Sequence, residues 1–167
     1  MLYYISGGQR SGKSRYAQDL ALQLSAKPVY LATSRAWDDD HRQRIARHVA
    51  DRDARWTTLE EEKHLSRLDL AGRIVVLDCV TLWLTNFFSD ADYQVEQALA
   101  LAQQEFDLLC QQDCTLLVIS NEIGMGLHAP TEAGRKFTDL QGWMNQYIAT
   151  RADKAVFMVS GLPLFLK

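Results

Sequence analysis

The sequence predicts an α/β fold with a mainly parallel sheet flanked by helices, and three observations predict it. Five short apolar runs, rich in β-branched and aromatic residues, alternate with segments of helical length. A glycine-rich stretch, GGQRSGKS, joins the first run to the first helical segment. A Gly-Leu-Pro break ahead of the last apolar residues predicts an antiparallel edge strand at the C-terminal end.

Taken in order, LYYIS (2–6), PVYLAT (28–33), RIVVLD (73–78), TLLVIS (115–120) and AVFMVS (155–160) are the expected strands. Each is nearly continuous in hydrophobicity rather than alternating, the pattern of strands covered on both faces. Segments 13–26, about 38–50, about 91–112 and about 132–151 are the expected helices. The third carries Val95, Leu99, Ala102, Phe106 and Leu109 as one stripe at the helical repeat. Strands that alternate with helices pair in parallel through right-handed crossovers.

With 167 residues, no internal repeat and no Pro/Gly/Ser-rich linker, the chain is expected to form a single domain, 1–167. Apolar residues at 47% and charged residues at 23% set it apart from disordered chains. A net charge of −3 supplies no basic footprint, so nucleic acid is not an expected partner. Cys79, Cys110 and Cys114 are odd in number and lack a zinc-type spacing, so free thiols in a reducing compartment are expected. No basic-then-apolar leader opens the sequence and no apolar run reaches the length of a membrane span. The expectation is a cytoplasmic protein with no stable membrane insertion.

GGQRSGKS (7–14) reads G-x-x-x-x-G-K-S between a strand and a helix, the context a phosphate-binding loop requires. Glycines let the chain wrap a phosphate with its N–H groups, and the following helix adds its positive end. Gly7, Gly8, Gln9, Arg10, Ser11, Gly12, Lys13 and Ser14 are therefore candidate nucleotide contacts. Lys13 would reach the β and γ phosphates, and Ser14 would ligate Mg²⁺. Asp78 ends the third expected strand. It suits Mg²⁺ through water, hydrogen bonds from a base or ribose, or a cap for the segment starting at Val80. SNEIGMGLHAP (120–130) follows the fourth strand, where two glycines and a carboxylate mark either a ligand-binding edge or a plain connection.

In RIARHVADR, Arg44, His48 and Arg52 are spaced four residues apart and share a face in a helix. Two guanidiniums beside an imidazole disfavour its protonation, and a neutral imidazole is a nucleophile. An ordinary exposed histidine on a charged helix has the same spacing.

The motifs in order are GGQRSGKSRYA, YLATS, DDDHRQRIARHVADR, Trp56, LDCVTLWLTN, SNEIGMG, FTDLQGWMNQ and VSGLPLFLK. Over nearly its whole length the chain resembles the bifunctional adenosylcobinamide kinase/adenosylcobinamide-phosphate guanylyltransferases of cobalamin biosynthesis. The resemblance implies a RecA-like P-loop fold and two reactions. A nucleoside triphosphate, ATP or GTP, phosphorylates adenosylcobinamide; GTP then guanylylates a histidine, from which GMP passes to adenosylcobinamide phosphate. His48 matches that histidine. Ala32, Thr33 and Ser34, then Val49, Ala50, Asp51 and Arg52, and finally Glu60 and Asp78 match nucleotide contacts. Which of Glu60 and Asp78 reads guanine and which serves Mg²⁺ stays open. The resemblance also implies a homo-oligomer, a trimer or its multiple. Asp53 stands where that family often carries proline, which removes a rigid φ constraint. The competing expectation is a monofunctional small-molecule P-loop kinase.

Overall fold

All five apolar runs lie side by side in one sheet in the computed structural model, which describes residues 1–35 and 53–167. The strands are β1 (Leu2–Gly7), β2 (Val29–Ala32), β3 (Thr57–Glu60), β4 (Ile74–Asp78), β5 (Thr115–Ile119), β6 (Lys154–Val159) and β7 (Leu162–Phe165). The helices among the described residues are α1 (Lys13–Leu24), α2 (Val80–Asp90), α3 (Val95–Cys110) and α4 (Glu132–Arg151). Strand order is β3-β2-β4-β5-β1-β6-β7. Every pair is parallel except β6–β7, the expected antiparallel edge.

Burial on both faces explains the continuous hydrophobicity. Tyr4, Val75, Leu77, Leu116 and Val118 pack with Trp83, Phe106, Leu140 and Met144 of α2, α3 and α4. Their neighbours Ile5, Val76, Leu117 and Ile119 turn the other way, onto Ala17 and Ala21 of α1. Small residues at that contact let α1 lie close to the sheet. Trp83 is fully buried, and its indole N–H donates to the Lys63 carbonyl at 3.0 Å. A side chain of this size contributes about 2 kcal/mol or more through burial.

The structure adds two elements to the sequence reading. Strand β3 alternates half-buried and exposed residues at the sheet edge, so it has no apolar run to announce it. Helix α2 begins after Cys79, without a side-chain cap, so Asp78 does not act as the cap. Helix α3 begins at Val95 rather than near 91, because Asp92 and Tyr93 have φ of 49° and 62°. The expected helix at about 38–50 lies outside the described residues.

The hairpin between β6 and β7 supports the glycine-rich loop. Ser160 and Gly161 both have positive φ, 51° and 82°, as a tight two-residue turn requires. The Gly161 N–H donates to the Ser11 carbonyl at 3.0 Å. Gly12 has φ of 99°, and a Cβ there would sit 3.2 Å from the Gly161 Cα. Glycine at position 12 therefore answers both a backbone conformation and a close approach.

A charged cluster ties the end of β2 to α2. Arg35 grips Asp90 with both terminal nitrogens, at 2.9 and 3.2 Å, and donates from Nε to Glu62 at 2.7 Å. Lys63 adds a 2.6 Å contact to Asp90. Hydrogen bonds from Arg35 first, then Lys63, hold the Asp90 carboxyl well below the usual carboxylate range. A depressed folded-state pKa stabilises above the ordinary value of 3.8, and that stabilisation is lost as pH falls below it. Asp90 is over one-third exposed, so screening limits the contribution to about 1 kcal/mol. Asp90→Asn is expected to lower unfolding free energy by that amount at pH 7, with the difference shrinking below pH 4. Urea unfolding at both pH values checks it, and an equally stable variant at pH 7 would count against the cluster.

Candidate active site

Ligands of open α/β sheets bind beyond the carboxyl ends of the strands. Here the ends of β1, β4 and β5 open onto a cavity of about 1210 Å³. Gly8, Gln9, Arg10, Lys13 and Ser14 line one side of it, and Asp78 and Cys79 line the floor. Gly7, Ser11 and Gly12 supply the turns of the loop. The first turn of α1 has no side-chain cap and no acidic residue, so its N–H groups and positive end face an anion unopposed.

Lys13 closes the loop on itself. Its Nζ donates to the Gly8 carbonyl at 2.5 Å and lies 3.4 Å from Ser11 Oγ. Burial pulls its pKa below the ordinary value, while Cys79 and Asp78 act in the opposite direction. An ammonium held by one carbonyl in a partly dry cavity is ready to exchange that partner for phosphate oxygens.

Asp78 accepts a hydrogen bond from the Tyr30 hydroxyl at Oδ2. Tyr30 is buried and meets Trp56 edge-on, with ring centroids 6.0 Å apart. Ser14 and Asp78 thus share a cavity with oxygen donors suited to Mg²⁺, a cation that keeps several waters and phosphate ligands. Among the described residues no group of three or more His, Cys, Asp or Glu could hold a metal alone. Cys79 borders the cavity too, but burial and the neighbouring Asp78 push its thiol up to about 12. It stays a protonated thiol and not a nucleophile. All three cysteines are free.

The other expected contacts are placed differently. Ala32 pairs with Asp78 on one side and Glu60 on the other. Glu60 therefore sits two strand spacings from Asp78, roughly 10 Å, and is exposed. Thr33 is fully buried, and its hydroxyl donates to the Cys79 carbonyl at 3.0 Å. The Thr33 carbonyl in turn accepts from Asn86 at 2.8 Å. Thr33 therefore fixes the shape of the strand end. Ser34 follows it with its hydroxyl near the Arg35 carbonyl, 3.4 Å away. His48, Val49, Ala50, Asp51 and Arg52, with Arg44, lie outside the described residues.

Residues from the 120–130 segment complete the cavity. Asn121, Glu122, Ile123, Met125 and Gly126 line the side facing away from α1. The sequence marked this stretch as a possible ligand edge but could not place Glu122. The Glu122 N–H donates to the Gly7 carbonyl at 3.1 Å, joining this segment to the phosphate loop across the sheet. No described helix is long and apolar enough to cross a membrane.

Comparison with known proteins shows the family. The chain is 40% identical to the bifunctional adenosylcobalamin biosynthesis protein CobP of Pseudomonas aeruginosa over 98% of its own length and 95% of the relative's. It is 35% identical to the bifunctional adenosylcobalamin biosynthesis protein CobU of Escherichia coli, with both chains fully covered. Among solved structures, the flagellar accessory protein FlaH of Methanocaldococcus jannaschii superposes with a TM-score of 0.48 at 14% identity, covering 99% of this chain and 77% of that one. Residues 3–166 match the family described as cobinamide kinase / cobinamide phosphate guanyltransferase. With a phosphate loop, an acidic strand end and full-length relatives in accord, the chain belongs to the cobinamide kinase / cobinamide phosphate guanyltransferase family.

Proposed function

We propose that the chain phosphorylates adenosylcobinamide with a nucleoside triphosphate, then transfers GMP from GTP through a GMP–His48 intermediate. The products are adenosyl-GDP-cobinamide and pyrophosphate. The observation that carries the reading is the gathering of Lys13, Ser14 and Asp78 in one cavity of a chain in this family.

Each residue has a physical task in this scheme. The loop amides, the N-terminus of α1 and Lys13 neutralise charge that spreads over phosphate oxygens as a bond to phosphorus forms. Ser14 and Asp78 would hold Mg²⁺, and the ion would add charge neutralisation at the phosphates. Glu60, one strand beyond Ala32, is the better placed carboxylate for guanine, since it lies away from the phosphate loop. A carboxylate can accept N1–H and N2–H of guanine together, a pair adenine cannot offer. His48 and Arg52 enter through the family motif. A homo-oligomer, a trimer or its multiple, belongs to the same proposal.

The test is product analysis of the purified chain with adenosylcobinamide, Mg²⁺ and either ATP or GTP. Adenosylcobinamide phosphate is expected first, then the GDP-linked corrinoid with GTP alone, beside a one-GMP adduct on the protein. Phosphorylation without adduct or GDP product would leave a monofunctional kinase.

A further inference from the structure

We propose that Glu122 is the general base of the phosphorylation half-reaction, and that the 121–127 loop forms the acceptor end of the cavity. The inference rests on the kinase reading above and adds the group that takes the acceptor proton.

Its backbone is fixed against the phosphate loop. The Glu122 N–H donates to Gly7, the residue that opens the loop, so its side chain cannot drift from the site of phosphoryl transfer. Its side chain is fixed as firmly. Oε1 accepts from the Tyr4 hydroxyl and from Asn145 Nδ2, each at 3.1 Å. Asn145 is itself held by Ser120 at 2.6 Å and Gln141 at 2.9 Å, and donates to the Asn121 carbonyl at 3.1 Å. Ser120, Gln141 and Asn145 are buried. Burial and the Glu122 charge push the Tyr4 hydroxyl far above its ordinary pKa, so it remains a donor.

This network uses one carboxylate oxygen. Oε2 accepts from no described residue, although Glu122 borders the cavity shared with Lys13 and Ser14. A carboxylate kept only to satisfy a buried network gains nothing from a second oxygen left unused at a ligand cavity. The other cavity carboxylate, Asp78, sits across the floor and is engaged by Tyr30.

The cavity leaves room for an acceptor. At about 1210 Å³ it exceeds the roughly 300–1,000 Å³ of ordinary small-molecule sites. A triphosphate on the loop fills the α1 side and leaves the Ile123–Gly126 end. Met125 there is 73% exposed, and Leu127, the residue after the lining Gly126, is 99% exposed. Unburied apolar side chains at a cavity mouth suit a bulky, partly apolar ligand that presents a hydroxyl-bearing arm.

In the step, the acceptor O–H bond breaks and its proton passes to Oε2. The acceptor oxygen bonds to the γ-phosphorus, and the bond from that phosphorus to the β–γ bridging oxygen breaks, releasing nucleoside diphosphate. Guanylylation of a neutral histidine uses no acceptor hydroxyl, so it does not need this base.

Glu122→Gln separates the two half-reactions and keeps an acceptor oxygen for Tyr4 and Asn145. The expected result is a fall of at least about 100-fold in kcat for adenosylcobinamide phosphorylation. KM for the triphosphate, the melting temperature and GMP labelling of the enzyme by GTP should all be retained. Glu122→Asp, which withdraws the carboxylate by one methylene, should lower the same kcat and spare the labelling. Phosphorylation within threefold of wild type in Glu122→Gln overturns the proposal. So does a parallel loss of both half-reactions in the two variants, which would mark a structural or nucleotide-binding role. A wild-type enzyme that labels with GMP but phosphorylates no adenosylcobinamide overturns the kinase reading and this base together.

Discussion

Lys13→Met is expected to abolish phosphorylation and GMP labelling together while leaving the fold intact. Lys13 is the buried ammonium of the loop, gripping the Gly8 carbonyl beside Ser11. When a triphosphate occupies the loop, that ammonium would move to oxygens whose negative charge grows in the transition state. Removing such a charge costs catalysis about 1,000-fold, near 4 kcal/mol. Both half-reactions should suffer, because the chain offers one phosphate loop for both triphosphates. Stability should move little or rise. Burial holds the Lys13 pKa below its ordinary value, so the folded protein bears a cost for the charge that methionine does not carry. Rates for each half-reaction, measured beside thermal unfolding, decide the matter. Retention of either activity near the wild-type rate would place that reaction's phosphates elsewhere.

The sequence made some of this legible and hid the rest for physical reasons. The strands β1, β2, β4, β5 and β6 were readable because both of their faces are covered, which leaves runs with no polar alternation. Strand β3 was not, because an edge strand with exposed Thr58 and Glu60 looks like a loop. Helix α2 carries an apolar signal but no marked start. Val80, Trp83, Leu84, Phe87 and Phe88 are buried at helical spacing, but the segment lacks a side-chain cap to mark its start. The phosphate loop is legible because its chemistry is contiguous, eight residues from Gly7 to Ser14. Glu122 is only half legible. That a carboxylate follows a strand is visible in the sequence. That it bonds to Gly7, Tyr4 and Asn145 depends on chain partners brought together by the sheet and α4. The partner of the buried Thr33 hydroxyl is likewise hidden in the sequence, because the Cys79 carbonyl that accepts from it lies 46 residues away at the end of β4.

His48→Asn should eliminate the GMP adduct completely and spare phosphorylation of adenosylcobinamide. Ahead of His48, strand β2 ends at Ala32, which pairs with Asp78, and the described chain runs on to Arg35. Strand β2 therefore ends at the same carboxyl edge that carries the cavity. A histidine nucleophile divides guanylyl transfer into two in-line displacements at the α-phosphorus, each with a leaving group the site can stabilise. Asparagine has no ring nitrogen to form the phosphorus–nitrogen bond, so the first displacement has no nucleophile. The kinase step attacks the γ-phosphorus with the acceptor oxygen and needs no imidazole. Intact-protein mass after incubation with GTP and Mg²⁺ reads the adduct directly, and a phosphorylation assay with the same preparations reads the kinase. An adduct surviving on the variant would move the nucleophile to another residue. Loss of phosphorylation along with the adduct would make His48 a phosphate-binding group common to both steps. An adduct on wild type alone, with phosphorylation intact in both, would separate the two chemistries within a single phosphate loop.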